Sequence, residues 1–154
     1  MNKRNIYIFF IAIALLTGAL SALVTSSNMD IFSTVLQPPL TPPSVVFPVV
    51  WTILFALMGI SAARIYIAND NKWNNSLTIW AVQLAVNFLW SIIFFNLQAF
   101  LFAFIWLLIL WVLILTMIIL FYRQDKIAAY LQIPYLIWVT FAGYLSLAIY
   151  LINN

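Results

Sequence analysis

Polar residues fall along this chain in short clusters, and between the clusters apolar residues run on without the two-residue alternation of a half-buried strand. Five such runs cover approximately residues 6–26, 44–68, 75–96, 99–122 and 127–152. A helix rises ~1.5 Å per residue, so ~20 apolar residues cross ~30 Å of hydrocarbon, which is about the length of each run. Strands of a membrane barrel would be about half as long and would alternate polar with apolar positions. The pattern therefore predicts an all-α integral membrane protein, a five-transmembrane-helix bundle forming one domain over residues 1–154. The first run follows Lys3 and Arg4, as a signal peptide would. Its apolar stretch outlasts the ~7–15 residues of a signal core and four more spans follow, so it is read as a retained helix.

Composition agrees. Apolar residues make up 67% of the chain, charged residues 6%, and the mean hydropathy is +1.13, against about half apolar and roughly a quarter charged in soluble domains. The six cations are Lys3, Arg4, Arg64, Lys72, Arg123 and Lys126, and with five spans all fall on one side of the membrane. Lys and Arg are retained in the cytoplasm, so the N-terminus is expected there and the C-terminus outside, in a bacterial-type plasma membrane. The net charge of +3 thus expresses topology, and no basic stripe marks a nucleic-acid surface.

Histidine and cysteine are both absent, which removes disulfides, thiol chemistry, metal sites built on those ligands and the usual axial ligands of haem iron. Asp30, Asp70 and Asp125 are the only acidic residues and all lie in connections, so no carboxylate sits at membrane depth as in proton-coupled carriers. General acid–base pairs and Ser-His-Asp chemistry have no parts. What remains is aromatic rings and amides.

There are seven Trp, seven Tyr and thirteen Phe. Trp73, Tyr66, Tyr122, Tyr130 and Tyr150 lie near span ends and suit interfacial anchoring. Trp106 and Trp111 belong to the uniformly apolar fourth run, as lipid-facing or packing residues. In "WAVQLAVNFLWS", Gln83, Asn87, Trp90 and Ser91 share one helix face, which places an amide at membrane depth where it must bond a neighbouring helix or a ligand. Trp51, Phe55 and Met58 make a stripe in the second helix, and Trp138, Ala142 and Leu145 another in the last, where Ala142 and Gly143 leave room beside the indole. The pairs Ala81/Ala85, Thr17/Ser21 and Ala99/Ala103 are spaced for close helix approach.

Five of the six prolines lie between Leu36 and Ile53, in "LQPPLTPPSVVFPVVWTI". Pro38, Pro39, Pro42 and Pro43 predict a stiff extended strap, because each lacks an N–H and biases its predecessor away from helix. Pro43 is placed where the second helix opens, with Thr41 or Ser44 available as a cap, and Pro48 a turn later. A long, stiff connection on one face of a compact bundle reads as a lid over the outer mouth.

Three segments, "QPPLTPPSVVFPVVWTILFALMGISAARIY", "WAVQLAVNFLWSIIFF" and "PYLIWVTFAGYLSLAIY", resemble the tryptophan-rich sensory protein family, TspO, whose mitochondrial relatives are the translocator protein or peripheral benzodiazepine receptor. The resemblance runs the length of the chain. It implies a five-helix bundle, usually a homodimer, that binds protoporphyrin IX and haem, and isoquinoline carboxamide or benzodiazepine type ligands. Bacterial members are linked to stress signalling and porphyrin breakdown, and some relatives bind sterols. No cofactor is required, porphyrin being ligand or substrate. Carried over residue by residue, the ligand pocket draws on Phe32, Trp51, Phe55, Asn87, Trp90, Ser91, Trp138, Ala142 and Leu145, and the strap prolines close it. Light- and oxygen-dependent degradation of porphyrin would involve Trp51 and Trp138. A pure ligand sensor, or a transporter of tetrapyrroles or sterols, is the alternative. The chain departs from the family's strap at Gln37, Leu40, Ser44 and Val45, where Lys, Trp, Gly and Trp would stand. The family's sterol pattern needs a cation after Tyr near the C-terminus, and "GYLSLAIYLINN" has none, whereas Leu120, Tyr122 and Lys126 meet the loose form of that pattern elsewhere.

Overall fold

A computed structural model describes residues 1–30 and 34–153. Helix α1 runs Lys3–Thr25 and tightens into a single narrow turn at Ser26–Asn28. Next come α2, Val46–Ala68, and α3, Asn75–Ser91, which widens into a π-helical turn over Ile92–Asn96. After α4, Phe100–Tyr122, the last span consists of a short α5, Lys126–Tyr130, and a long α6, Ile133–Ile152. Among the described residues five helical segments are long and apolar enough to cross a membrane, as the sequence pattern predicts.

Side chains that supply the missing partners of helix termini set several boundaries. Asn2 accepts from Asn5 N at 2.9 Å, Asn74 from Leu77 N at 3.1 Å, and Asp125 from Ile127 N at 3.0 Å. The opening of α2 differs from expectation. Its cap position is Val45, with no side-chain hydrogen bond, while Thr41 Oγ1 turns back to donate to Pro38 O at 2.7 Å within the strap. Pro48 in the first turn needs no N–H partner, so α2 starts without a polar cap.

The fifth span also differs, being broken at Leu131–Gln132. Pro134 stands in the first turn of α6 and cannot donate to a preceding helical carbonyl. The break frees backbone acceptors inside the bundle, and Ser61 Oγ of α2 satisfies one of them, Ala128 O, at 2.7 Å. Close by, Arg64 Nε and Nη2 grip the two oxygens of Asp125 at 2.9 and 3.3 Å. Such a bidentate pair fixes the start of the last span against α2.

The packing is uneven around the bundle. α1 lies along α2 so closely that a Cβ on Gly59 would meet Ile11 Cα at 2.4 Å, and one on Gly18 would meet the Phe55 ring at 2.6 Å. α4 packs between α3 and α6, and α2 reaches the last span mainly through α5. Along α6 the backbones of α2 and the last span stand apart. The gap between them is bridged by rings instead.

The Gly59 contact is with backbone and cannot yield by a rotamer change. Gly59→Ala should therefore cost about 1–3 kcal/mol, the usual range for overpacking, whereas Gly143→Ala, whose new Cβ would approach nothing nearer than Phe104 at 4.0 Å, should leave the thermal unfolding midpoint in detergent unchanged.

Candidate functional site: an aromatic cavity between the helices

Trp51 stands in that gap as a spacer. Its ring centroid lies 5.7 Å from Phe55, 6.2 Å from Trp90, 6.3 Å from Tyr135 and 6.4 Å from Trp138. Phe47 adds a second bridge from α2 to α6, 5.8 Å from Trp138. Indole and phenyl rings are rigid and wide, so edge-to-face and tilted contacts hold two helices apart and leave space beside them.

That space is a cavity of about 410 Å³, within the ~300–1,000 Å³ typical of small-molecule sites. Trp51, Phe55, Asn87, Trp90, Ser91, Trp138, Ala142 and Leu145 all line it, so the structure brings together every described residue that the sequence assigned to a ligand pocket. Phe32 lies outside the described residues. Pro38, Pro39, Pro42 and Pro43 are not in the wall, although Pro48 is. Their strap is fastened to the end of the last helix: Tyr144 Oη donates to Pro39 O at 2.7 Å, Leu36 N donates to Asn153 Oδ1 at 2.9 Å, and Asn153 Nδ2 donates to Leu36 O at 3.0 Å.

At the strap's turn Leu40 has φ 70°, left-handed backbone at the place in a Pro-containing turn that favours glycine.

Of the two parts open to it, Asn87 takes the bond to a neighbouring helix. Its Nδ2 donates to Tyr135 Oη at 2.7 Å, and that hydroxyl donates to Gln83 Oε1 at 2.7 Å, while Gln83 Nε2 approaches Met58 Sδ at 3.8 Å. The chain joins α3, α6 and α2 beneath the cavity and also leaves Asn87 in its wall. Gln83 and Met58 belong to this buried chain and not to the cavity.

The tryptophans divide by what their N–H groups do. Trp80 donates to Met58 O at 3.1 Å, Trp106 to Val86 O at 2.8 Å, Trp111 to Thr140 Oγ1 at 2.9 Å and Trp73 to Thr78 Oγ1 at 2.9 Å. Trp106 and Trp111 are therefore packing residues fixed by polar bonds. The N–H groups of Trp90 and Trp138 are buried with no partner among the described residues, and so are Ser146 Oγ and, away from the cavity, the Gln132 amide. Trp90, Trp138 and Ser146 all line the cavity. A buried unmet donor costs about 1–3 kcal/mol, and here three unmet groups cluster around one apolar space.

Sequence reasoning missed Ser146, Phe47 and the contribution of α1, from Leu15, Gly18 and Ala22. Ser146 follows Trp138 and Ala142 on the same helix face, a spacing that could have revealed it. Leu15, Gly18, Ala19 and Ala22 are small or aliphatic and carry no chemical signal, whereas Ser21, read from its spacing as a packing residue, and Thr25 also line the cavity. Gly143, expected to make room beside Trp138, is not part of the wall.

The molecule is thus a five-span bundle with a proline strap and with indoles from the second, third and last spans around one cavity. The pattern that defines the TspO/MBR family matches residues 10–151. The chain belongs to that family. It is 36% identical to Protein CrtK of Rhodobacter capsulatus, over 99% of this chain and 95% of that protein. It is also 36% identical to the tryptophan-rich protein TspO of Archaeoglobus fulgidus, over 99% of both chains, and 27% identical to the translocator protein of Bos taurus, over 75% of this chain and 70% of that one.

Within this TspO/MBR chain the Asn87–Tyr135–Gln83 bonds make a clear test. Tyr135→Phe keeps the ring against Trp51 but strands the Gln83 carbonyl and the Asn87 amide. It should lower stability by about 1–3 kcal/mol, read as an earlier thermal unfolding transition in detergent, and replacing Gln83 with Leu in the same chain should recover part of the loss.

Proposed function

We propose that the protein is a membrane receptor that takes porphyrins, protoporphyrin IX above all, and hydrophobic drug-like molecules of the isoquinoline carboxamide or benzodiazepine type into this cavity. The observation that carries the reading is the indole-walled apolar space with unmet polar groups at Trp90, Trp138 and Ser146. A flat aromatic ligand gains affinity by stacking and apolar burial, and acceptors on it would relieve the unmet donors. With no His or Cys to bind iron axially, metal-free porphyrin is the better ligand and haem the weaker. Membership of the TspO/MBR family supports the same class of ligand.

The reading extends to turnover. A porphyrin excited by light passes an electron to dioxygen, leaving superoxide and a porphyrin radical cation, and the indoles of Trp51 and Trp138, 6.4 Å apart, are oxidised in turn or pass electrons to that cation. Protoporphyrin IX mixed with the purified protein should lose its main absorbance band in light and gain a product band, and keep its spectrum in the dark. Trp51→Phe and Trp138→Phe should still bind it and should slow the loss at least tenfold. Variants that degrade porphyrin at the parent's rate would contradict the assignment, and a shifted band that is stable to illumination in the parent would leave a sensor that binds without consuming.

The reading also sets the N-terminus in the cytoplasm and pairs two copies through the exposed Ala81 and Ala85 of α3. The chain has no cysteine, so single introduced thiols report sidedness. Leu97→Cys should react with a membrane-impermeant maleimide on intact cells and Lys72→Cys only after permeabilisation. The opposite labelling reverses the topology, and light scattering that finds one chain per particle in mild detergent removes the dimer.

A further inference from the structure

The charged residues at the start of the last span are not mutually neutralised. Asp125 is committed inward: both of its oxygens pair with Arg64, and Oδ1 also accepts from the backbone N–H groups of Ile127 and Ala128. Arg123 and Lys126 flank it on the exposed surface, and neither makes an ion pair among the described residues. Lys126 Nζ sits 5.5 Å from the centre of the Tyr122 ring, which in turn lies 6.1 Å from Tyr130. Two cations thus stand at one end of α4 with two interfacial phenols, and among the described residues the one nearby carboxylate, Asp125, is committed to Arg64.

Directly beneath them is a second, separate cavity, a groove of about 280 Å³ between α4 and the last span. Ile118, Ile119 and Tyr122 form one wall, Tyr130 and Ile133 the other, Ala129 is in the floor, and Arg123 also lines it. The break at Leu131–Gln132 lies between Ala129 and Tyr130 on one side and Ile133 on the other, so α5 and α6 need not continue one straight face against α4. Ile119, Tyr122, Tyr130 and Ile133 are all at least 40% exposed, which on this flank of a membrane bundle means exposure to lipid.

An apolar furrow capped by unpaired cations and interfacial tyrosines fits a molecule with a hydrocarbon chain and an anionic head. We propose that this groove is a binding site for an anionic phospholipid, one acyl chain lying between Ile119 and Ile133 and the phosphate held by Arg123 and Lys126. The second span's Arg64 is excluded from the site because Asp125 occupies it. The site lies apart from the aromatic cavity, with which it shares no lining residue, and does not depend on what that cavity binds.

The test is native mass spectrometry of the full chain in mild detergent, titrated with phosphatidylglycerol or with phosphatidylcholine of the same acyl chains. The parent should retain one phosphatidylglycerol at least tenfold more tightly than phosphatidylcholine, since each surface cation contributes roughly a fivefold gain for an anionic lipid. The Arg123→Gln/Lys126→Gln double variant should bring the two lipids to near parity. Lys3→Gln/Arg4→Gln, the same charge change away from the groove, should leave the preference intact, and Ile133→Trp, which fills the furrow, should weaken both lipids alike. Equal retention of the two lipids by the parent would overturn the proposal. So would an equal loss in the Lys3/Arg4 variant, which means diffuse attraction, or displacement of the lipid by a sterol with no effect of the head-group charge.

Discussion

Inside hydrocarbon there is no water to take up an unpaired donor or acceptor, and the arrangement of this molecule follows from that constraint. It demands helices, and wherever a helix is interrupted it demands a substitute partner. Ser61 reaches across to Ala128 O at the break in the last span, and Arg64 locks onto Asp125 beside it. The amides of Gln83 and Asn87 are tolerable at depth because Tyr135 Oη lies between them, accepting from one and donating to the other. Among the described residues the exceptions are few. Gln132 keeps an unmet amide at the break in the last span, and Trp90, Trp138 and Ser146 keep unmet groups around one cavity, while Trp73, Trp80, Trp106 and Trp111 donate to protein.

Cavity and packing are two results of one asymmetry. Small residues let α1 and α2 approach to backbone contact at Gly59 and Ile11, and α3, α4 and α6 form the other half of the bundle. The halves are joined near one end by α5, and further along they are held apart by Phe47 and Trp51 against Trp138, Tyr135 and Trp90. Rings that act as struts are also the rings a flat ligand would meet. The wall is rigid for the same reason that it is aromatic, which lowers the entropy lost when a ligand is ordered against it.

Much of this was legible in the sequence because helical periodicity is a strong signal in a chain of nearly unbroken apolar runs. Gln83, Asn87, Trp90 and Ser91 declared a polar face at membrane depth, and the stripes at Trp51–Phe55 and Trp138–Ala142–Leu145 faced the same space. Periodicity assigns a face, however, and not the partner opposite it. It could not say that Tyr135 would take the Asn87 amide, or that Gln83 would turn away from the cavity toward Met58. The contribution of α1 was hard to read because Leu15, Gly18 and Ala22 differ little from any membrane helix and the hydroxyls of Ser21 and Thr25 are common in such helices. The break in the last span has a sign, Pro134, but the apolar run continues on both sides of it and masks the interruption. No residue type announced the π-helical turn at Ile92–Asn96.

The central claim is that the space between α2 and α6 is where ligand binds. Ala142 lies in its wall on α6 and is 7% exposed, so a phenyl ring there would occupy the space while the struts on α2 keep their native side chains. The decisive measurement is the equilibrium affinity of Ala142→Phe for protoporphyrin IX, by quenching of tryptophan fluorescence, with the unfolding transition followed in parallel. The account predicts at least a tenfold loss of affinity with the transition preserved. Unchanged affinity in a folded variant would contradict it and move the ligand elsewhere on the bundle.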